Sequence, residues 1–95
     1  MSTPTPLPGR VRFANSVRVR LGADTGFLFE QRSGRVYSLN ATAALAAARI
    51  QTEQPPVEIV SAVVDAFEID AGTARRDLAR FIADLRAEGL TDLDG

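Results

Sequence analysis

Residues 34–40 read G-R-V-Y-S-L-N, and the chain then passes directly into an alanine-rich stretch. Val36, Tyr37, Ser38 and Leu39 suit a strand, because β-branched and aromatic side chains pack well on a half-buried pleated surface. Asn40 suits a helix N-cap, since its side-chain oxygen can accept one of the N–H groups that a first helical turn leaves unpaired. Six of the ten residues 41–50 are alanine, the strongest helix former and a side chain small enough for neighbours to approach closely. A strand that turns into a helix without a loop fixes the two elements relative to one another. Any fold for this chain must be built around that corner.

The 95 residues, 45% of them hydrophobic, make one folded domain that buries roughly two-thirds of its unfolded surface, with no room for a large internal cavity. Cysteine and histidine are both absent. That removes disulfides, thiolate metal sites, the commonest metal ligand and the commonest general base. Ser–His and Cys–His nucleophiles go with them, and no Gly-rich phosphate loop is present. The chain therefore reads as non-catalytic, with no cofactor and no metal. No apolar run approaches the ~20 residues of a membrane span, and the opening M-S-T-P-T-P-L-P lacks a signal-peptide pattern. Residues 1–9 are expected to be a disordered Pro-rich lead-in, residues 10–93 a single domain, and the location cytoplasmic.

All eleven basic residues are arginine. Residues 1–40 carry six Arg against Asp24 and Glu30, and residues 41–95 carry five Arg against ten acids. The strand-forming half is thus basic and the helical half acidic, so a charged ligand on the sheet is expected to be acidic.

Val11 and Phe13, then Val17, Val19 and Leu21, alternate with Arg10, Arg12, Arg18 and Arg20. This is the period-2 pattern of half-buried strands, broken at Asn15-Ser16. Residues 22–26 form a loop, and strands over 27–31 and 35–39 form a hairpin. A two-residue Ser33-Gly34 turn would oppose Arg32 and Arg35. A three-residue loop of Arg32, Ser33 and a left-handed Gly34 is preferred, because it aligns Phe29 with Tyr37 and Phe27 with Leu39 on one face. Glu30 is read as a solvated strand residue.

Helices are predicted over 41–50 and 57–67, with Pro56 near the second helix's first turn, and from an Asp70 cap to about Glu88, where Gly89 stops the last one. Its apolar stripe is Ala74, Leu78, Phe81, Ile82 and Leu85. Leu90, and Leu93 with it, are expected to fold back beneath that helix. Three or four short strands followed by three helices define an α+β fold, with helices covering one face of an antiparallel sheet.

Five motifs occur in a fixed order. They are Pro6-Leu7-x-x-x-Val11-Arg12; Tyr37-x-Leu39-Asn40-x-Thr42-Ala43; Val57-Glu58-Ile59-Val60; Ile69-Asp70; and Asp77-Leu78-x-x-Phe81-Ile82-x-x-Leu85-x-x-x-Gly89-Leu90. Together they resemble the PqqD-like family, the leader-peptide recognition elements of ribosomally made, modified peptides. The resemblance implies a winged-helix-like arrangement of a three-stranded sheet and three helices, with a groove between the third strand and the third helix. It implies that a precursor's leader docks there as an added strand. A partner enzyme (a radical enzyme, protease or cyclase) then modifies the rest of the peptide.

An edge strand offers unpaired N–H and C=O groups, and an extended peptide gains hydrogen bonds by joining it. Arg35, Val36, Tyr37, Ser38 and Leu39 are the expected receiving edge. Arg75, Leu78, Ala79, Ile82 and Arg86 are the expected wall, its arginines pairing with leader carboxylates. Asp77 reads as charge complementing the helix dipole. Tyr37 and Leu39 are also readable as core residues facing the first helix, the stripe residues as mainly core, and Arg75 and Arg86 as ordinary solvated or ion-paired surface. Two rivals stand beside this function: a winged-helix DNA-binding domain, disfavoured by acids interrupting the helical arginines and a pI near 5.3, and a generic protein-interaction adaptor. Open sheet edges also leave room for a homodimer.

Overall fold

The computed structural model describes residues 7–23 and 25–92. Expectations placed on residues 1–6, Asp24 and Leu93 lie outside the described residues. Strands β1 (Val17–Leu21), β2 (Gly26–Glu30) and β3 (Arg35–Leu39) form an antiparallel sheet in the order β1-β2-β3, and helices α1 (Ala41–Gln51), α2 (Pro56–Phe67) and α3 (Ala71–Ala87) follow. The α+β architecture is the one the pattern predicts.

Val17, Val19, Leu28, Tyr37 and Leu39 turn toward the helices, and Leu28 is completely buried. The opposite face carries two cross-strand rows, Arg18–Phe29–Val36 and Arg20–Phe27–Ser38. This corrects the hairpin register. Glu30 opposes Arg35 and Leu28 opposes Tyr37, so residues 31–34 form a four-residue connection and Phe27 and Phe29 face outward. A one-residue slip exchanges the two faces of a strand, and burying Leu28 beside Val19 decides between them. Gly34, at φ 76°, donates its N–H to the Glu30 carbonyl at 2.8 Å and closes the loop.

Glu30 is also corrected. It is buried, and its carboxylate accepts from the Ser16 hydroxyl at 2.6 Å and from the Arg32 backbone N–H. Those bonds, with the Ser16 hydroxyl foremost, hold its pKa below the usual carboxylate range against the opposing effect of burial.

Residues 10–14 keep the predicted parity, with Val11 and Phe13 buried and Arg10 and Arg12 exposed, but they stay outside the sheet. Phe13 bridges Thr91, Ala14 N–H donates to the Leu90 carbonyl, and Asp92 N–H donates to the Arg12 carbonyl, the last two at 2.9 Å. Leu90 reaches that position because α3 ends in a Schellman turn. Leu90 N–H bonds the Leu85 carbonyl, Gly89 N–H bonds that of Arg86, and Gly89 sits at φ 73°. Leu90 is buried beneath the helix, as expected.

The Asn40 cap is formed, with Oδ1 accepting from Ala43 N–H at 2.8 Å, and Asp70 caps α3 through Thr73 N–H at 3.1 Å. Helix α1 packs against all three strands and both other helices. Its alanines make this close packing feasible: Ala44, Ala46 and Ala47 are buried, as is Ile50 near its C-terminal end. Ile59 and Val63 of α2 and Ala74, Leu78, Ile82 and Leu85 of α3 complete the core.

Candidate functional site: a cleft beside an open strand

Strand β3 pairs with β2 on one side only, so its other edge has no partner strand among the described residues. The direction of its backbone groups follows from the register. Gln31 N–H donates across to the Ser16 carbonyl, and backbone direction alternates along an antiparallel strand. Residues 26, 28 and 30 therefore point toward β3, where Leu39, Tyr37 and Arg35 meet them. Val36 and Ser38 are left with their N–H and C=O groups directed out of the sheet edge.

Helix α3 lies beyond that edge without closing on it. No Cα of β3 comes within 8 Å of any Cα of α3, although α1 touches both. The gap is an open cleft in two connected lobes. The larger, about 390 Å³, is lined by Leu28, Tyr37, Ser38 and Leu39 on the sheet side and by Phe81, Asp84, Leu85 and Glu88 on α3. The smaller, about 270 Å³, runs on between α1 and α3 past Thr42, Ala46, Asp77, Leu78 and Arg80. Asn40, Ala43, Phe81 and Asp84 border both lobes. The floor is apolar: Leu28, Leu39, Leu78 and Leu85 are buried, and Tyr37 and Phe81 are half-buried.

At one end a side-chain pair spans the opening, Arg35 Nη1 lying 3.7 Å from Glu88 Oε2. A hydrogen bond to Tyr37 and the charge of Glu88 both favour the protonated guanidinium and raise its pKa. Both partners are well exposed, so the pair adds little to stability. It marks the edge of the cleft.

The expected site residues divide between cleft and elsewhere. Tyr37, Ser38, Leu39 and Leu78 line it, Arg35 stands at its end, and Val36 presents backbone to it while its side chain is exposed on the outer sheet face. Ala79 and Ile82 are buried, and Arg75 and Arg86 are exposed, and none of these four lines either lobe. The α3 wall is instead Asp77, Phe81, Asp84 and Glu88, at spacings of four, three and four residues along one helical face. That spacing is legible in the sequence. Which flank of the apolar stripe faces β3 is not, because it depends on how α2 and α1 seat α3. Asn40 and Ala43, which form the cap and first turn of α1, line the cleft as well.

An antiparallel sheet with an open edge, a helical layer on one face and a cleft between its last strand and last helix is an α+β arrangement with room for an extended polypeptide to add as a strand. The family model of coenzyme PQQ synthesis protein D (PqqD) matches residues 25–90, and the chain belongs to that family. Two solved structures share the fold. One, described as lasso peptide synthetase B1 complexed with the leader peptide, is 26% identical with a TM-score of 0.76, and the match covers 86% of this chain and 96% of that one. The other, TbiB1 in complex with the TbiA(beta) leader peptide, is 23% identical with a TM-score of 0.80, covering 88% and 98%. No match was found among curated protein sequences.

Proposed function

We propose that this chain binds the leader segment of a ribosomally made precursor peptide as a fourth strand on β3 and presents the rest of that peptide to a modifying enzyme, without catalysing a reaction itself. The observation that carries the reading is the outer edge of β3, which has no partner strand among the described residues and faces a cleft that the α3 backbone does not close. A strand laid along that edge would satisfy the outward groups of Val36 and Ser38. Every second side chain of the strand would enter the apolar cleft. Two or three such anchors, each giving about 1.5–3 kcal/mol on full burial, supply most of the affinity. Family membership and the leader complexes of both structural neighbours support the same reading. The receiving residues are Tyr37, Ser38 and Leu39 with the backbone of Val36, and the opposite wall is Phe81, Asp84 and Leu85. Arg75 and Arg86 line neither lobe of the cleft and stand apart from these receiving residues.

Val36→Pro tests this directly. Its N–H points away from β2, so proline removes an outward donor and leaves the ladder whole. Affinity for a labelled synthetic leader peptide should fall about tenfold or more, with circular dichroism and melting temperature close to wild type. Unchanged affinity in a folded variant would mean that this edge is the wrong surface.

A further inference from the structure

We infer that the leader taken by this cleft carries a basic side chain paired with Asp84, two residues from an apolar side chain seated between Tyr37 and Leu85; the inference rests on the peptide-binding reading above. Charge counted along the chain points the other way, because the strand-forming half is basic. The folded molecule redistributes that charge. Of the six arginines in residues 1–40, only Arg35 reaches the cleft, and Glu88 already engages it at 3.7 Å. Arg18 is on the outer sheet face, bonded to the Asn15 and Val17 carbonyls, and Arg20 shares that face. Arg12 is held by Asp92 and Glu53. None of these three lines either lobe.

The wall that a docked strand would meet is acidic. Asp77, Asp84 and Glu88 project from the cleft-facing side of α3, with Arg80 the one cation among them. Glu88 is matched by Arg35, but Asp84 has no ion-pair partner among the described residues. Its position matters as much as its charge, since it borders both lobes, between the apolar surfaces of Phe81 and Leu85. A ligand lying over those surfaces would exclude water, and an ion pair made there is stronger than one in bulk solvent.

The repeat distances agree. Side chains on one face of a docked strand recur every ~6.8 Å, and a shift of four residues along α3 is ~6 Å. For a strand lying along α3, a basic group over Asp84 therefore places the next cleft-facing side chain at the level of Glu88, in the lobe that Leu28, Tyr37 and Leu85 also line. A carboxylate in place of the basic group would face an unpaired carboxylate.

Phage selection of random linear peptides on the whole chain, wild type against Asp84→Lys, tests this. Asp84 is exposed, so the variant should fold, and circular dichroism verifies it. Wild type should enrich Lys or Arg two positions from Leu, Ile, Phe or Tyr, and Asp84→Lys should shift that position to Asp or Glu. In fluorescence anisotropy, changing the selected basic residue to Glu should weaken binding by about tenfold on wild type and restore it on the variant. Peptides that bind and are lost on Val36→Pro, yet show no basic preference and ignore Asp84→Lys, would overturn the inference and leave the peptide-binding reading standing. Failure to select any peptide on folded wild type would overturn that reading itself.

Discussion

Glu30 sits at the end of β2, within a hairpin that must keep its register for β3 to present the right edge. Its carboxylate gathers the Ser16 hydroxyl and the Arg32 backbone N–H, and these bonds exist only for the folded chain. Since the folded pKa is lowered, the unfolded chain binds the proton more readily. The stabilisation is fully present above the ordinary carboxylate value of about 4.3 and is lost as pH falls through the lowered folded value. Glu30→Gln should therefore lower the melting temperature at pH 7 and flatten its decline on acidification below about pH 5. Identical acid slopes for wild type and variant would remove Glu30 from the account. The sequence places Glu30 on a strand correctly but cannot show this role. Ser16 is fourteen residues away, and only the turn between Ala14 and Val17 brings it to the carboxylate.

Among the elements, the corner between β3 and α1 was legible because each half obeys a local rule: alternation with strand formers up to Leu39, then a capping Asn40 and a run of alanines. The Asp70 cap and the Gly89 stop were legible for the same reason. Loop length was not, since Gly34 satisfies a three-residue and a four-residue connection equally well, and the burial of Leu28 chooses between them. The start of β2 shows another tertiary constraint. Gly26, expected in the loop, is its first residue and pairs with both Leu21 and Leu39. A Cβ there would lie 2.6 Å from the Arg20 carbonyl oxygen, a contact with rigid backbone. Gly26→Ala should cost about 1–3 kcal/mol, read as a lower denaturant midpoint at unchanged slope. A neutral effect would show that the β1–β2 corner yields easily.

At the scale of the molecule, residues 11–14 and 90–92 clasp one another across the full length of the sequence, and the two kinds of contact there differ in weight. Leu90 is 1% exposed and packs with Val11 and Phe13 in the core. Leu90→Ala should cost about 2–5 kcal/mol. Asp92, paired with Arg12 at 2.9 Å on an exposed surface, should cost about 0–1 kcal/mol when changed to Ala. Chemical denaturation of the two variants separates these expectations, and comparable losses would mean that the ion pair carries the clasp. The overall architecture and the existence of a cleft could be anticipated from pattern and resemblance. The sign of its charge could not, because a count along the chain cannot tell which side of the sheet an arginine will occupy. The free rim of β3 has one more effect. Two copies meeting rim to rim would satisfy the same outward amides and carbonyls, so crowding and cargo would compete for one seam, and a bound peptide would also keep the molecules apart.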